Sequence, residues 1–232
     1  MLWGLKPVEQ KAAHGLAVDR LKRSIHLGLV LPGERLASER RLAEQIGISR
    51  VTLREALSVL EMEGYVTIRR GAAGGAFVAD ETALLTMAEN QFSAQAPAAL
   101  RAVEYRESAE PVAARLAAVR RTPADLKHIQ LAIVGLTEAR SRGEIRRGEA
   151  TFHLCVAQAS GNRFFASSIE EAMASMFLPF PSDDAAREMA ESLQRCRAVA
   201  DAIRLRQEAL AEAAMADLLA IDRRRMPTRR VA

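Results

Sequence analysis

The sequence is poor in cysteine and in aromatic residues, and it contains no long hydrophobic run. Only two of its 232 residues are cysteine, Cys155 and Cys196, which excludes a secreted scaffold held by several disulfides. Aromatic residues make up 4%, which is poor material for a β-sandwich or a β-barrel. No stretch approaches the roughly 18 apolar residues of a membrane-spanning helix. Met1 to Pro7 lacks the features of a signal peptide, so we expect a cytoplasmic protein.

The length and the distribution of charge indicate two parts with different roles. A chain of 232 residues fits two small domains better than one large domain. Residues 1–80 carry 12 basic and 9 acidic side chains, residues 81–222 carry 16 and 20, and the last ten carry 5 and none. A basic N-terminal part joined to an acidic body is typical of a nucleic-acid-binding module with a separate second domain.

The first third of the chain predicts three helices followed by a short β-hairpin. Ser38 and Ser49 are good N-caps, and Gly47 supplies the positive φ that a tight turn between two helices requires. The predicted elements are helices over residues 8–29, 39–46 and 51–63 and strands over residues 65–68 and 76–78. Helix, turn, helix and wing is the pattern of a winged DNA-binding module, although a helical hairpin of another kind of protein has the same first half.

Basic and hydroxyl side chains concentrate where such a module would meet DNA. The first turn of the third helix, Ser49 to Arg54, offers arginines that read guanine edges and hydroxyls that bind phosphates. Arg40 would reach the DNA backbone from the preceding helix, and the basic wing tip would reach a minor groove or a phosphate. The predicted DNA contacts are Arg40, Ser49, Arg50, Thr52, Arg54, Arg70 and Gly71.

Five of these residues, all except Arg70 and Gly71, lie within a stretch that resembles a known family. The run LPGERLASERRLAEQIGISRVTLREAL from Leu31 to Leu57, followed by LEMEGY from Leu60 to Tyr65, resembles the GntR family of bacterial transcription regulators. The resemblance covers about a third of the chain. It implies DNA contacts at the positions already selected from the residues, Arg70 excepted. It also implies a homodimer that binds a palindromic operator at the bacterial nucleoid.

The rest of the chain predicts an all-helical domain. Helical patterns cover residues 100–121, 123–141, 143–160, 163–176 and 183–224, with an interruption near Arg206, and Pro97 predicts a break before them. The predicted division is a winged helix-turn-helix domain over 8–80, a linker helix over 81–99, a helical bundle over 100–224 and a disordered basic tail over 225–232. The fold class is therefore mostly α, with a small two-stranded wing.

This second domain resembles the FCD domain, the effector-binding domain of the FadR-like branch of the family. The resemblance rests on Glu104-Tyr-Arg106 in the opening helix and on Phe152-His153, with Asn162 after it. It implies a small carboxylate effector, in which case Arg106 holds the anionic group. The candidate effector contacts are Arg106, Glu149, His153, Asn162 and Cys196.

Many FCD domains hold a divalent metal through an Asp four residues before a His, plus two later His, and this chain matches that set only in part. Glu149 and His153 stand at the first pair, whereas Cys196 and Leu218 stand where the family has histidines. Leucine cannot bind a metal, but Glu149, His153 and Cys196 could still hold zinc with water as the fourth ligand. A pocket without metal is the first expectation, and no cofactor is required.

Each effector candidate also has a simpler explanation. Arg106 could pair with Glu110 one helical turn away, and His153 could pair with Glu149 in the same way. Cys196 is typical of a small buried hydrophobic residue.

The residues give little support to other functions. No nucleophile, oxyanion hole or phosphate loop is recognisable, so an enzyme is not expected. His14, His26 and His128 predict no role beyond surface or helix packing. The expected protein is a ligand-responsive DNA-binding transcription regulator, most simply a repressor. An effector-independent regulator with a degenerate pocket is the alternative.

Overall fold

The computed structural model describes residues 13–71, 73–176 and 185–225, and it is mostly helical with one two-stranded sheet. Its first elements are α1 (Ala13–His26), α2 (Glu39–Ile46), α3 (Arg50–Met62), β1 (Val66–Arg69) and β2 (Gly75–Val78). The later helices are α4 (Glu81–Arg120), α5 (Pro123–Glu138), α6 (Arg142–Ala159), α7 (Arg163–Ser175), α8 (Ala185–Arg204) and α9 (Glu208–Arg225). The start predicted for α1 at residue 8 and the basic tail beyond residue 225 lie outside the described residues.

The N-terminal winged module, residues 13–80, is built as its local sequence signals predict. The Ser38 side chain accepts from the backbone N of Arg41, which caps α2. Gly47 ends α2 with a φ of 81°, in the left-handed region that the turn needs. Apolar side chains of α1 and α3 then face each other across the core: Ala17, Val18, Leu21 and Ile25 against Leu53, Ala56, Leu57 and Leu60.

The wing is an antiparallel hairpin in which Val66 lies opposite Val78 and Arg69 lies opposite Gly75. A segment before α2 supports it, because the backbone N of Leu36 donates to the Ala76 carbonyl at 2.9 Å. Arg35, which the sequence analysis did not single out, donates from its guanidinium to the Gly74 carbonyl and thereby ties this segment to the base of the wing tip.

Helix α4 joins the winged module to the helical domain, which comprises the described residues from 100 onward. The break predicted at Pro97 is wrong, because α4 runs unbroken through Pro97 and Pro111 for 40 residues, about 60 Å. A proline inside a helix loses one hydrogen bond and crowds the preceding turn. That local cost is outweighed by burial along α4, since Leu84 lies in the core of the winged module and Ala114 in the core of the helical domain.

Two reciprocal arginine caps hold one end of the helical domain, near the interruption predicted at Arg206. Arg206 has a φ of 58° and separates α8 from α9, which confirms the interruption. Its Nη1 donates to the Val119 carbonyl at the end of α4. Arg121 in turn donates from Nε to the Ile203 carbonyl at the end of α8, at 3.0 Å. Each arginine satisfies carbonyls that the helix ends would leave unpaired.

The winged module docks on the helical domain through close backbone contacts. Gly28 has a φ of +69°, and a Cβ added there would lie 2.9 Å from the backbone N of Arg147 in α6. A Cβ on Gly143 would lie 2.7 Å from Cδ of Pro32. Leu27 is 2% exposed and packs among helical-domain residues such as Ile169. The absence of side chains at both glycines therefore allows the two parts to touch.

We expect Gly28→Ala to destabilise the protein more than Gly33→Ala. Both glycines have a left-handed φ, which costs an L-residue roughly 1–2 kcal/mol. Gly33 has no atom within 4 Å of an added Cβ, whereas Gly28 meets the backbone of Arg147. Overpacking should therefore cost Gly28→Ala a further 1–3 kcal/mol or so. Urea unfolding of the two variants measures the difference, and equal losses would show that the docking contact contributes nothing.

Candidate DNA-binding surface and effector cavity

The start of α3 presents the predicted base-reading side chains to solvent. Ser49 caps α3, since its Oγ accepts from the backbone N of Thr52 at 3.1 Å and lies 2.8 Å from the Thr52 Oγ1. The side chains of Arg50 and Arg54 are 59% and 60% exposed. Two arginines at the exposed N-terminal end of a helix can enter a major groove, which a buried position would have forbidden.

Glu39 on α2 contacts both arginines and was missed by the sequence analysis. Arg54 Nε donates to Glu39 Oε2 at 2.7 Å, and Arg50 Nη2 lies 3.8 Å from the same oxygen. An exposed ion pair of this kind contributes about 0–1 kcal/mol, so DNA phosphates or bases can displace it. Its sequence signal is an acidic residue directly after the Ser38 cap, but the partners of Glu39 depend on the crossing of α2 and α3.

The remaining predicted DNA contacts are also at the surface. Arg40 is 79% exposed and lies 3.7 Å from Glu44 on the same helix. Arg70 and Gly71 are exposed at the wing tip, where Gly71 has a φ of 102° that an L-residue would adopt only with strain. The surface is consistent with the predicted role, and DNA contact by these residues stays a prediction.

A cavity of about 80 Å³ lies between the helical domain and the end of α1. It has room for a few waters or a small organic molecule. Its apolar wall includes Met173, Met176 and Leu218. Its charged and ionisable lining residues are His26, Arg106, Arg146, Glu149, His153 and Asp222.

A buried network of charges forms one side of this cavity. Arg106 donates from Nε to Glu110 Oε1 and from Nη1 to Asp222 Oδ2, each at 2.5 Å, and its side chain is 3% exposed. His153 Nδ1 contacts the other oxygen of Glu110. The Arg106–Glu110 pair considered in the sequence analysis is thus present. For His153, the hydrogen-bonding partner of Nδ1 is Glu110 on α4, 43 residues away.

The network determines the ionisation of Glu110. Burial alone would raise the Glu110 pKa, but the nearby Arg106 and His153 outweigh it and lower that pKa from 4.5 to about 2. Burial would likewise lower the Arg106 pKa, and the two carboxylates raise it. Glu110 is therefore an anion and Arg106 a cation at neutral pH.

Arg106 keeps one group available beside the cavity. Its Nη2 is buried and has no hydrogen-bond partner among the described residues. A buried guanidinium nitrogen without a partner is costly, and the carboxylate oxygen of a small ligand would satisfy it. The role of Arg106 and His153 in binding an effector stays a prediction.

Two other effector candidates have structural roles elsewhere. Asn162 caps α7, where its Oδ1 accepts from the backbone N of Phe164 at 3.1 Å. Cys196 is 0% exposed in the core of the helical domain, and burial, followed by the charge of Glu149, raises the pKa of its thiol. Neither residue is among those that line the cavity. Glu149 does line it, as predicted from the i, i+4 spacing with His153.

The zinc set Glu149, His153 and Cys196 is not assembled in the structure. Within residues 13–71, 73–176 and 185–225, no three His, Cys, Asp or Glu side chains are arranged to hold a metal ion. The physical reason is that Cys196 lies in the apolar core and does not line the cavity with Glu149 and His153, and that His153 Nδ1 already faces Glu110. The residues present do not fit the metal that the resemblance implied.

Comparison with known proteins identifies the family. Residues 16–78 match the profile of the bacterial regulatory proteins of the gntR family, and residues 101–220 match that of the FCD domain. The chain belongs to the GntR family. It is a DNA-binding transcription regulator of the GntR type with an FCD domain, which confirms the fold predicted from the sequence.

Individual relatives of this GntR regulator agree with that identification. It is 33% identical over 192 residues to RmpR of Mycobacterium gastri, named as a candidate HTH-type transcriptional regulator, covering 79% of this chain and 70% of that protein. It is 35% identical over 144 residues to the transcriptional regulator LutR of Bacillus subtilis, covering 58% and 62%. Its fold matches E. coli McbR/YncC with a TM-score of 0.55 at 20% identity, covering 93% of this chain and 97% of that one.

These matches also bear on the excluded functions. The matching families and relatives are transcription regulators and not enzymes, which confirms the prediction of a non-catalytic protein. In the described part of the GntR chain, every helix is too short or too polar to cross a membrane.

Proposed function

We propose that this regulator is a repressor that binds a palindromic operator as a homodimer and is released by a small carboxylate effector bound in the cavity. The observation that supports the effector is the Nη2 of Arg106, a buried cationic donor that has no hydrogen-bond partner in the described part of the chain and lies beside a cavity of about 80 Å³. A carboxylate forms a strong, charge-assisted hydrogen bond with a guanidinium donor, and a small organic acid fits a cavity of this volume.

The proposal of a dimer and a palindromic operator rests on the small size of the DNA-contacting surface that one winged module offers. One winged module offers only a few base contacts, whereas two modules related by a twofold axis double them and add a half-site spacing. An effector then acts by favouring one relative placement of the two modules, and it shifts DNA affinity only by its difference in affinity for the two placements.

We expect Arg106→Lys to remove effector binding while leaving the fold and DNA binding intact. Lysine keeps a cation near Glu110 and Asp222 and loses the Nη2 donor, whereas alanine would remove the positive charge that both carboxylates contact. The measurement is the Tm of wild type and variant with L-lactate, pyruvate, succinate and citrate. A ligand at 100 times its Kd stabilises the folded state by about 2.7 kcal/mol, and the variant should lose that gain.

The matched control is Arg115→Lys, since Arg115 pairs with Glu212 at 3.2 Å on the surface, far from a buried network. Arg115→Lys should show the same rise in Tm with the organic acid as wild type. If wild type binds DNA but no acid raises its Tm, the effector-independent alternative gains support. If Arg106→Lys responds to an acid as wild type does, Arg106 has a purely structural role.

A further inference from the structure

The winged module supplies part of the wall of the cavity. His26, the last residue of α1, and Leu27 after it both line the cavity, although neither belongs to the helical domain. His26 Nδ1 lies 2.8 Å from the carbonyl oxygen of Ala174 near the end of α7. Met173 and Met176, on either side of Ala174, line the same cavity. The cavity thus borders the contact between the two parts of the protein.

A directed chain of hydrogen bonds starts at this contact. A carbonyl oxygen only accepts, so His26 Nδ1 donates to Ala174, and Nε2 of the neutral ring accepts from the Tyr65 hydroxyl at 2.9 Å. The Tyr65 oxygen in turn accepts from Gln91 Nε2 at 2.6 Å. The chain therefore links α7, the end of α1, the residue before β1 and α4.

The surroundings keep the His26 ring in this neutral form. Burial lowers the His26 pKa, the Ala174 hydrogen bond opposes this, and Arg146 and Lys22 lower it further, so that the pKa falls from 6.5 to about 4. At neutral pH the ring keeps one donor and one acceptor, which is what the chain of hydrogen bonds requires.

We propose that His26, Tyr65 and Gln91 transmit occupancy of the cavity to the winged module. A molecule in the cavity lies against His26 and the two methionines that flank Ala174, so it changes the hydrogen bond between His26 and α7. The change passes through Tyr65, which is 1% exposed beneath the wing, to the placement of the winged module on α4. His26 and Tyr65 are thus positioning residues for the DNA response, and their role rests on the proposed function.

The test replaces the unidentified effector by side chains that fill the cavity. Ala150 and Leu218 both line it and are each 3% exposed, so Ala150→Leu and Leu218→Phe put added carbon atoms where a ligand would lie. Each substitution is made in wild type and in Tyr65→Phe, which removes one oxygen from the chain and keeps the buried ring. The measured quantity is the Kd for a duplex selected by the wild-type protein from a random-sequence library.

The expected result is a shift in Kd that depends on Tyr65. A filled cavity should weaken binding about tenfold in the wild-type background, within the usual range of coupling between two sites. In the Tyr65→Phe background, filled and unfilled proteins should bind with the same Kd. His26→Phe, which removes both hydrogen bonds of the ring, should abolish the shift in the same way.

Tyr105→Phe is the matched control. The Tyr105 hydroxyl also donates to α7, to Ser168 Oγ at 2.6 Å, but it connects two helices of the helical domain only. The shift should persist in that background. Equal shifts in the Tyr65→Phe and wild-type backgrounds, or no shift in wild type, overturn the proposal.

A second measurement needs no substitution in the cavity. Because coupling is reciprocal, DNA binding should change the amide hydrogen exchange of residues 169–176 in wild type and leave it unchanged in Tyr65→Phe. The same change in both proteins would contradict the proposal. If the wild-type protein selects no duplex at all, the proposed function and the transmission proposal both fail. If it selects a duplex but the shift in Kd does not depend on Tyr65, only the transmission proposal is overturned.

Discussion

Arg50→Ala is expected to weaken binding to the selected duplex at least about 30-fold, the largest effect on function. The Arg50 side chain is 59% exposed at the first turn of α3, and its contact with Glu39, at 3.8 Å, is weak. A bidentate contact from arginine to guanine contributes about 1–3 kcal/mol, and a dimer makes it twice. The lower limit of about 2 kcal/mol corresponds to roughly 30-fold in Kd. Fluorescence anisotropy at fixed salt concentration measures the change.

Arg204→Ala is the matched control for this substitution. Arg204 has a similar exposure, 58%, and is also paired with a carboxylate, Asp201 at 3.0 Å, but it lies at the end of α8 in the helical domain. Its removal should change the Kd less than twofold or so, as for a surface charge distant from the DNA. Comparable losses in both variants would mean that Arg50 contributes only general positive charge.

Glu110→Gln is expected to reduce the free energy of unfolding by about 3–5 kcal/mol. Glu110 is 1% exposed and neutralises Arg106 while it accepts from His153. Glutamine has the same size but no charge, so Asp222 alone would have to balance the positive charge of the Arg106 guanidinium. Removal of one member of a buried charged network is costly because the other member stays desolvated. Chemical denaturation at pH 7 measures the loss.

The exposed pair of Arg115 and Glu212 provides the comparison. Both side chains are 41% exposed, so Glu212→Gln should cost about 0–1 kcal/mol. A loss from Glu110→Gln no larger than this would show that the buried charges are compensated by water or by movement of the network.

The same network makes the free energy of unfolding depend on pH in the acidic range. The folded-state pKa of Glu110, about 2, is below its ordinary value of 4.5, so the folded state binds fewer protons than the unfolded chain between these values. Its contribution is therefore complete above pH 4.5 and is lost as the pH falls towards 2. His26 acts the same way at higher pH, since its pKa falls from 6.5 to about 4. Stability should decline from pH 6.5 in wild type, and only below about 4.5 in His26→Phe.

The features that were predicted correctly depend on neighbours in the sequence. The side chains of Ser38 and Ser49 cap their helices by accepting from the backbone N–H three residues further on, and Gly47 adopts the conformation that its turn requires. The pairing of Arg106 with Glu110 is one helical turn long. Helix propensity, capping and turn formation act between residues a few positions apart, so they can be predicted from the sequence without the tertiary structure.

The features that were missed depend on long-range packing. Pro97 is a helix breaker by local rules, yet α4 continues because its residues are buried on both sides of it. Asp222 reaches Arg106 from 116 residues away. Cys196 was a candidate ligand by the resemblance to the FCD domain, and it lies among apolar core residues, where burial raises the pKa of its thiol. His26 showed no periodicity or motif, and its hydrogen bond to the Ala174 carbonyl of α7 depends on tertiary packing.

From its amino-acid order alone, this chain could be recognised as a mostly helical GntR-type regulator with arginines at the start of the second helix of a helix-turn-helix. The helices, caps and turns behind this recognition depend on residues that lie within one or two helical turns of each other in the sequence. The composition of the cavity was decided only when α1, α4, α6, α7, α8 and α9 packed together. Burial and charge neutralisation depend on which side chains meet in space, and that is set by the tertiary structure.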